Sequence, residues 1–342
     1  MQRKYCSLIF STISILVLIL DTKTAVESAT TGIMLCLQTV IPSLFPFICL
    51  SSSLTNSLSG IKFMFLQPLS RLCGIPHGAE GYFVVGILGG YPTGAACIAK
   101  GYAAGQLSRH DAENLLSFCS NAGPAFLFGM AAPLFSSPYI PWILWSVHIF
   151  SAILTGALLC KNRSVQPSYQ HIVSNTRPAS LQHTLFVMAS ICGWVVLFRV
   201  ILGFCEKWFL WLFPIELKCY FIGLLELSNG CCNLSTVPLE AYRFLILSSI
   251  LAFGGICVTM QTYSVTKGLS LRMYLVGKAT QTLLSIILSF LIIEILYKDF
   301  VSQIFFIPVV LSTLLLLLIF FLIIFKKTVA IPAFLQYNVR KT

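Results

Sequence analysis

Apolar runs about as long as a bilayer is thick recur from one end of this chain to the other, with no long polar block between them. A spanning helix needs about 20 mostly apolar residues. Eight stretches meet that need: about 5–21, 29–55, 116–135, 142–160, 183–204, 244–266, 273–297 and 302–325. Only 10% of the residues are charged and 57% are hydrophobic, whereas a soluble domain carries about 25% charged residues. Such a chain cannot clothe a surface that faces water. The expected fold is all-α and polytopic, one integral membrane domain over 1–342, with the lipid bilayer as its first partner.

Two further stretches, about 78–105 and 219–240, are apolar but interrupted. The first holds Gly81, Gly86, Gly89, Gly90, Pro92 and Gly94; the second holds Glu226, Asn229, Gly230 and Pro238. Each reads either as a kinked spanning helix or as a re-entrant hairpin. Broken backbone survives at membrane depth only where protein or a water-filled cavity surrounds it. The distribution of Lys and Arg weighs the two. With a cytoplasmic N-terminus and two hairpins, fifteen basic residues fall in cytoplasmic gaps, and five (Lys23, Lys207, Lys218, Arg243 and Lys298) fall outside. If both stretches cross fully, the tally drops to twelve against eight. The hairpin reading is favoured.

The net charge of +11 is therefore read as an orientation code and not as a nucleic-acid footprint. Arg3-Lys4 ahead of the apolar run Leu8–Leu20 is expected to be an uncleaved signal anchor in preference to a cleaved signal peptide. The polar stretch 161–182 is expected to be a cytoplasmic loop joining two halves.

Those halves resemble each other. GILGGYPTG (86–94) is followed by LLSFCSNAGPAF (115–126), and GLLELSNG (223–230) by ILAFGGICVTMQ (250–261). Phe118 and Phe253 lie 135 residues apart, Gly94 and Gly230 136 apart. The order span, hairpin, span, span over 29–160 recurs over 183–297. Each unit crosses three times, so the second is expected to lie inverted with respect to the first. The segment 302–325 adds a final helix. Inverted repeats whose broken helices meet near the midplane are a recurring plan of secondary transporters.

The candidate binding residues follow from the breaks. Glu226 is a carboxylate deep in an apolar run, where a charge usually faces a cavity or a partner. Ser228 and Asn229 add polar groups beside it, and Gly230 is expected to let a ligand approach the backbone. Gly90, Tyr91, Pro92, Thr93 and Gly94 form the opposing tip. Ser120, Asn121 and Gly123 precede Pro124, and Gly254, Gly255 and Gln261 are their counterparts in the second unit. A structural acid bound to backbone amides is the alternative at Glu226. Arg199, Lys278 and Glu294 are expected near span ends, snorkelling to the interface. The thirteen cysteines form no CxxC and no metal-ligand spacing with histidine, so no metal or cofactor is expected. No HExxH, GxSxG or phosphate loop is present, so an enzyme is not expected.

The pieces GGYPTG, LLSFCSNAGPAF, LELSNG and AFGGICVTMQ resemble the YlbJ family of sporulation integral membrane proteins, over about residues 30–325. That family sits in a broader group with nucleoside-recognition, or Gate, domains, which looks similar to concentrative nucleoside transporters. The resemblance implies a bacterial inner-membrane protein linked to endospore formation, moving an unknown small solute or ion. Its alternative is a structural or assembly factor of the spore envelope. A second copy of the chain or a spore-envelope protein would be the macromolecular partner.

Overall fold

The computed structural model describes residues 2–58, 63–160 and 181–297. The expected helix 302–325 and loop 161–182 lie outside these residues, apart from the last two residues of the loop. Among the described residues all regular structure is helical. Among the described residues five helices are long and apolar enough to cross a membrane: Thr22–Leu50, Ile140–Cys160, Thr184–Trp208, Glu240–Val265 and Arg272–Leu296. The protein is a multi-pass membrane protein.

The chain opens with α1 (Gln2–Leu20) and α2 (Thr22–Leu35). Asp21 separates them by capping α2, its carboxylate accepting from Thr24 N at 3.4 Å. The second span therefore starts seven residues before the expected boundary at 29. A π-helical turn, Cys36–Val40, joins α2 to α3 (Ile41–Leu58). Pro42 lies two residues past that turn; it has no N–H to give back and its ring crowds the carbonyl four residues earlier, and the wider turn relieves both.

After α4 (Gln67–Cys73), α5 (Glu80–Leu88) and α6 (Thr93–Ala103) fold back on each other about Gly89–Pro92. Gly90 there has φ +71° and the Tyr91–Pro92 bond is cis. Next come α7 (Arg109–Leu116) and α8 (Pro124–Ala131), then α9 (Ile140–Cys160). The expected continuous span 116–135 is thus a correction: helix is lost over Ser117–Gly123. Pro124 has no N–H to donate back into a continuing ladder and instead sits in the first turn of a new helix.

In the second half, α10 (Leu181–Trp208) precedes α11 (Ile215–Leu225) and α12 (Leu227–Asn233). These two short helices pack together, and they begin four residues ahead of the expected 219 because Pro214 starts α11. Then follow α13 (Glu240–Phe253), α14 (Gly255–Val265) and α15 (Arg272–Leu296). Gly254 and Gly255, both at φ +82°, separate α13 from α14. Two successive residues in that region stop a right-handed helix, and glycine alone takes it without strain.

Contacts between the halves are reciprocal. α2 and α10 run antiparallel: Lys207 Nζ donates to Asp21 at 2.5 Å, and a Cβ on Gly203 would strike Ser28 while one on Gly32 would press on Val196 and Arg199. Small residues four apart let helices approach this closely in lipid, where burial from water supplies no drive. Glu113, on α7, accepts from Ser270 N at 2.9 Å in the loop between α14 and α15. Glu240, on α13, accepts from Ser136 N at 2.7 Å in the loop between α8 and α9. The start of each broken helix thus lies at the end of the other, and the two pairs run in opposite directions.

Burial ranks the spans. In α13–α14, 89% of the apolar window is inside the protein, against 18% for Thr22–Leu50 and 28% for Thr184–Trp208. The second broken helix is the core of the described fold, and α2 and α10 lie at its periphery.

Candidate functional site

The first break is satisfied by side chains from two other helices. Backbone polar groups freed inside a protein must find partners. Asn121 Nδ2 donates to Phe118 O at 2.8 Å, and Ala122 N donates to His148 Nε2 on α9 at 3.0 Å. Lys278 on α15 donates to Ser120 O at 2.5 Å. Its ammonium also donates to Tyr91 Oη at 2.8 Å and to Gln281 Oε1 at 2.7 Å. Gln281 Nε2 in turn donates to Asn121 Oδ1 at 2.9 Å. Lys278 is 1% exposed. This corrects the expectation that it snorkels to an interface: α15 packs directly against the break, with Gly277 so close to Ser117 O that a Cβ would come within 1.9 Å. Arg199 is not a free snorkelling cation either, since both of its Nη atoms donate to Glu206 Oε2 at 3.0 Å. Glu294 is exposed.

The second tip is built on Glu226. Its extended backbone (φ −142°, ψ 118°) ends α11 and its side chain caps α12. Oε1 accepts from Ser228 N at 3.1 Å, and Oε2 accepts from Asn229 N and Asn229 Nδ2, both at 2.7 Å. An acid at a helix N-terminus also meets the positive end of the helix dipole. The buried carboxylate is thus held by amides, with no basic side chain paired to it among the described residues.

The two tips and two breaks converge. A cavity of about 40 Å³, room for a few waters, is lined by Gly90 and Tyr91 from the first tip and by Ala122 and Gly123 from the first break. Glu226, Leu227 and Ser228 line it from the second tip, and Val258 and Gln261 from beyond the second break. Val40, Leu44, Phe126, Ile191 and Val195 line the rest of it, so the π turn also faces it. Tyr91 links the parts: its Oη donates to Leu251 O at 3.3 Å, and its ring lies where a Cβ on Gly254 would touch it.

Of the expected residues, Gly90, Tyr91, Gly123, Glu226, Ser228 and Gln261 line this cavity. Asn121, Ser120 and Asn229 stand behind it as supports. Pro92 and Thr93 instead line a larger, open cavity of about 350 Å³ between α3, α6, α10 and α14, with Lys100 and Lys267 at its edge. Gly94 and Gly230 are packing residues. A Cβ on Gly94 would lie 2.8 Å from Gly86 Cα, and one on Gly230 would lie 2.3 Å from Gly223 Cα. That corrects the expectation that Gly230 opens the backbone to a ligand: the space is taken by its own hairpin. Gly255 faces the carbonyls of Gly223, Leu224 and Leu225.

Sequence reasoning passed over His148 and Gln281 and misplaced Lys278. A signal was available. Lys278, Gln281, Thr282, Ser285 and Ser289 recur at helical spacing along one face of α15, and all are buried. Among the described residues no group of three His, Cys, Asp or Glu side chains is placed to hold a metal.

Over 139 residues the chain is 32% identical to the sporulation integral membrane protein YlbJ of Bacillus subtilis, a match covering 38% of this chain. The matched region spans 33% of that relative's length. No family model and no solved structure matches. The match bears out a resemblance to YlbJ-like proteins over the 139 residues it covers.

Proposed function

We propose that this protein is a carrier for a small solute, with its site at the cavity where both hairpin tips and both helix breaks meet. The observation that carries this reading is the convergence of Tyr91, Glu226, Ser228 and Gln261 on one cavity from three separate elements, the two hairpin tips and α14. Helix termini and unwound backbone at such a junction offer hydrogen-bond donors and acceptors to a polar solute inside the protein. In this reading α5–α6 and α11–α12 are re-entrant hairpins, and 29–160 and 183–297 are inverted units within a plan of eight spans. The antiparallel broken helices and the reciprocal contacts of Glu113 and Glu240 support that plan. The N-terminus lies in the cytoplasm, the membrane is the bacterial inner membrane, and the Gate-domain kinship rests on the motifs alone. The link to sporulation comes from the name of the matched relative.

A second reading has its own observation. The carboxylate of Glu226 is wholly engaged by the amides of α12, and the cavity is small. A non-transporting assembly factor of the spore envelope would keep such a centre for stability alone.

A thermal-shift screen of the purified chain against nucleosides, amino acids, dipicolinate and divalent cations separates the two. A carrier is stabilised by one of these classes, because a ligand that binds only the folded state raises its melting temperature. The shift should vanish in Gln261→Ala and Ser228→Ala while those variants stay folded. No shift with any class, together with normal sporulation of a Gln261→Ala strain, would leave the assembly role as the better reading.

A further inference from the structure

We propose that the ammonium of Lys278 fills a monovalent-cation site at the first helix break, so that the break takes its positive charge from the chain itself and not from solution. A buried lysine in a membrane protein pairs with an acid or with backbone carbonyls. Lys278 has no carboxylate within ion-pair distance among the described residues. Its three donors are spent on three uncharged oxygens: a main-chain carbonyl (Ser120 O), a phenol (Tyr91 Oη) and a side-chain amide (Gln281 Oε1), at 2.5, 2.8 and 2.7 Å. The ammonium meets Tyr91 at its phenol oxygen, 4.9 Å from the ring centroid.

Carbonyl, hydroxyl and amide oxygens from separate elements converging on one positive charge are what a broken helix offers to a bound cation. Here the three oxygens come from the tip of the first hairpin, the break and α15. The amide of Gln281 is fixed by donating onward to Asn121. The oxygens are therefore held in place by the fold, and the side chain of Lys278 reaches into them. Removing its last atoms would leave a ready shell for a primary ammonium or a small monovalent cation.

The site is testable without knowing any solute, and independently of whether the chain is a carrier. The full chain, purified in detergent, is melted with and without added cations, following tryptophan fluorescence. Lys278→Ala lacks three methylenes and the ammonium, which n-propylammonium supplies. The variant should melt several degrees below the wild type and regain most of that loss with n-propylammonium chloride. Tetramethylammonium, which has no N–H, and 1-propanol, which has no charge, should not restore it. The wild type should respond to none of them. Rescue by sodium as well would support the same site in a form less selective among monovalent cations. A Lys278→Ala protein that melts with the wild type, or regains nothing with propylammonium, overturns the proposal. If that variant does not fold, Lys278→Met keeps the volume without the charge. A melting temperature below the wild type then supports the proposal, and one equal to or above it overturns it.

Discussion

Glu226 caps α12 and forms part of the wall of the cavity, so its two roles answer differently to substitution. Glu226→Ala strands the amides of Ser228 and Asn229 inside the protein. Loss of a cap costs about 1 kcal/mol, and buried unpaired donors cost about 1–3 kcal/mol each. Because the cap and these two main-chain donors are the same bonds, a fall of about 2–6 kcal/mol in stability is expected. Glu226→Gln keeps one acceptor oxygen and should lose about half as much, which denaturant or thermal melts in detergent would resolve. An acid in an apolar run is easy to read from sequence because nothing local accounts for it. Lys278 was harder. It lies six residues into α15, a position that by count sits near the end of a span. Its depth is set by the break at Ser117–Gly123, more than 150 residues earlier in the chain, packing against that end. Only the polar stripe along α15 pointed to it.

Among the elements, the breaks depend on glycine for two separate reasons. Gly254 and Gly255 need a backbone region that side chains rarely adopt. Gly86 needs none of that freedom; a Cβ there would come within 1.8 Å of Cys119 O, so the first hairpin lies backbone against backbone on the first break. Gly254→Ala should lose about 1–2 kcal/mol from strain alone, and its methyl would also press on Tyr91. Gly86→Ala should lose more than about 3 kcal/mol, because main chain cannot yield as a side chain can. Comparing the yield of folded protein on size exclusion with the melting temperature would rank them. The hairpins were legible because glycine and proline mark them inside apolar runs. The loss of helix over Ser117–Gly123 was less so: asparagine, glycine and proline occur within many spans, and it takes His148 and Lys278 from elsewhere to make the open backbone stable there.

For the molecule as a whole, composition fixed the solvent, and the spacing of similar motifs suggested the two related halves. What no spacing revealed is how the halves hold each other. Glu113 secures a loop of the second half and Glu240 a loop of the first, while Lys278, from the second half, sits in the break of the first. Each half therefore carries pieces that complete the other, in the manner of two interlocked hooks. The covalent link between them is then dispensable once folding is done. Fragments 1–160 and 181–342, made as separate polypeptides in one cell, should copurify through a tag on either one. Substituting both Glu113 and Glu240 by glutamine should weaken that recovery more than either change alone. A protease cut between 160 and 181 in the assembled protein should leave its elution volume unchanged, two chains travelling as one.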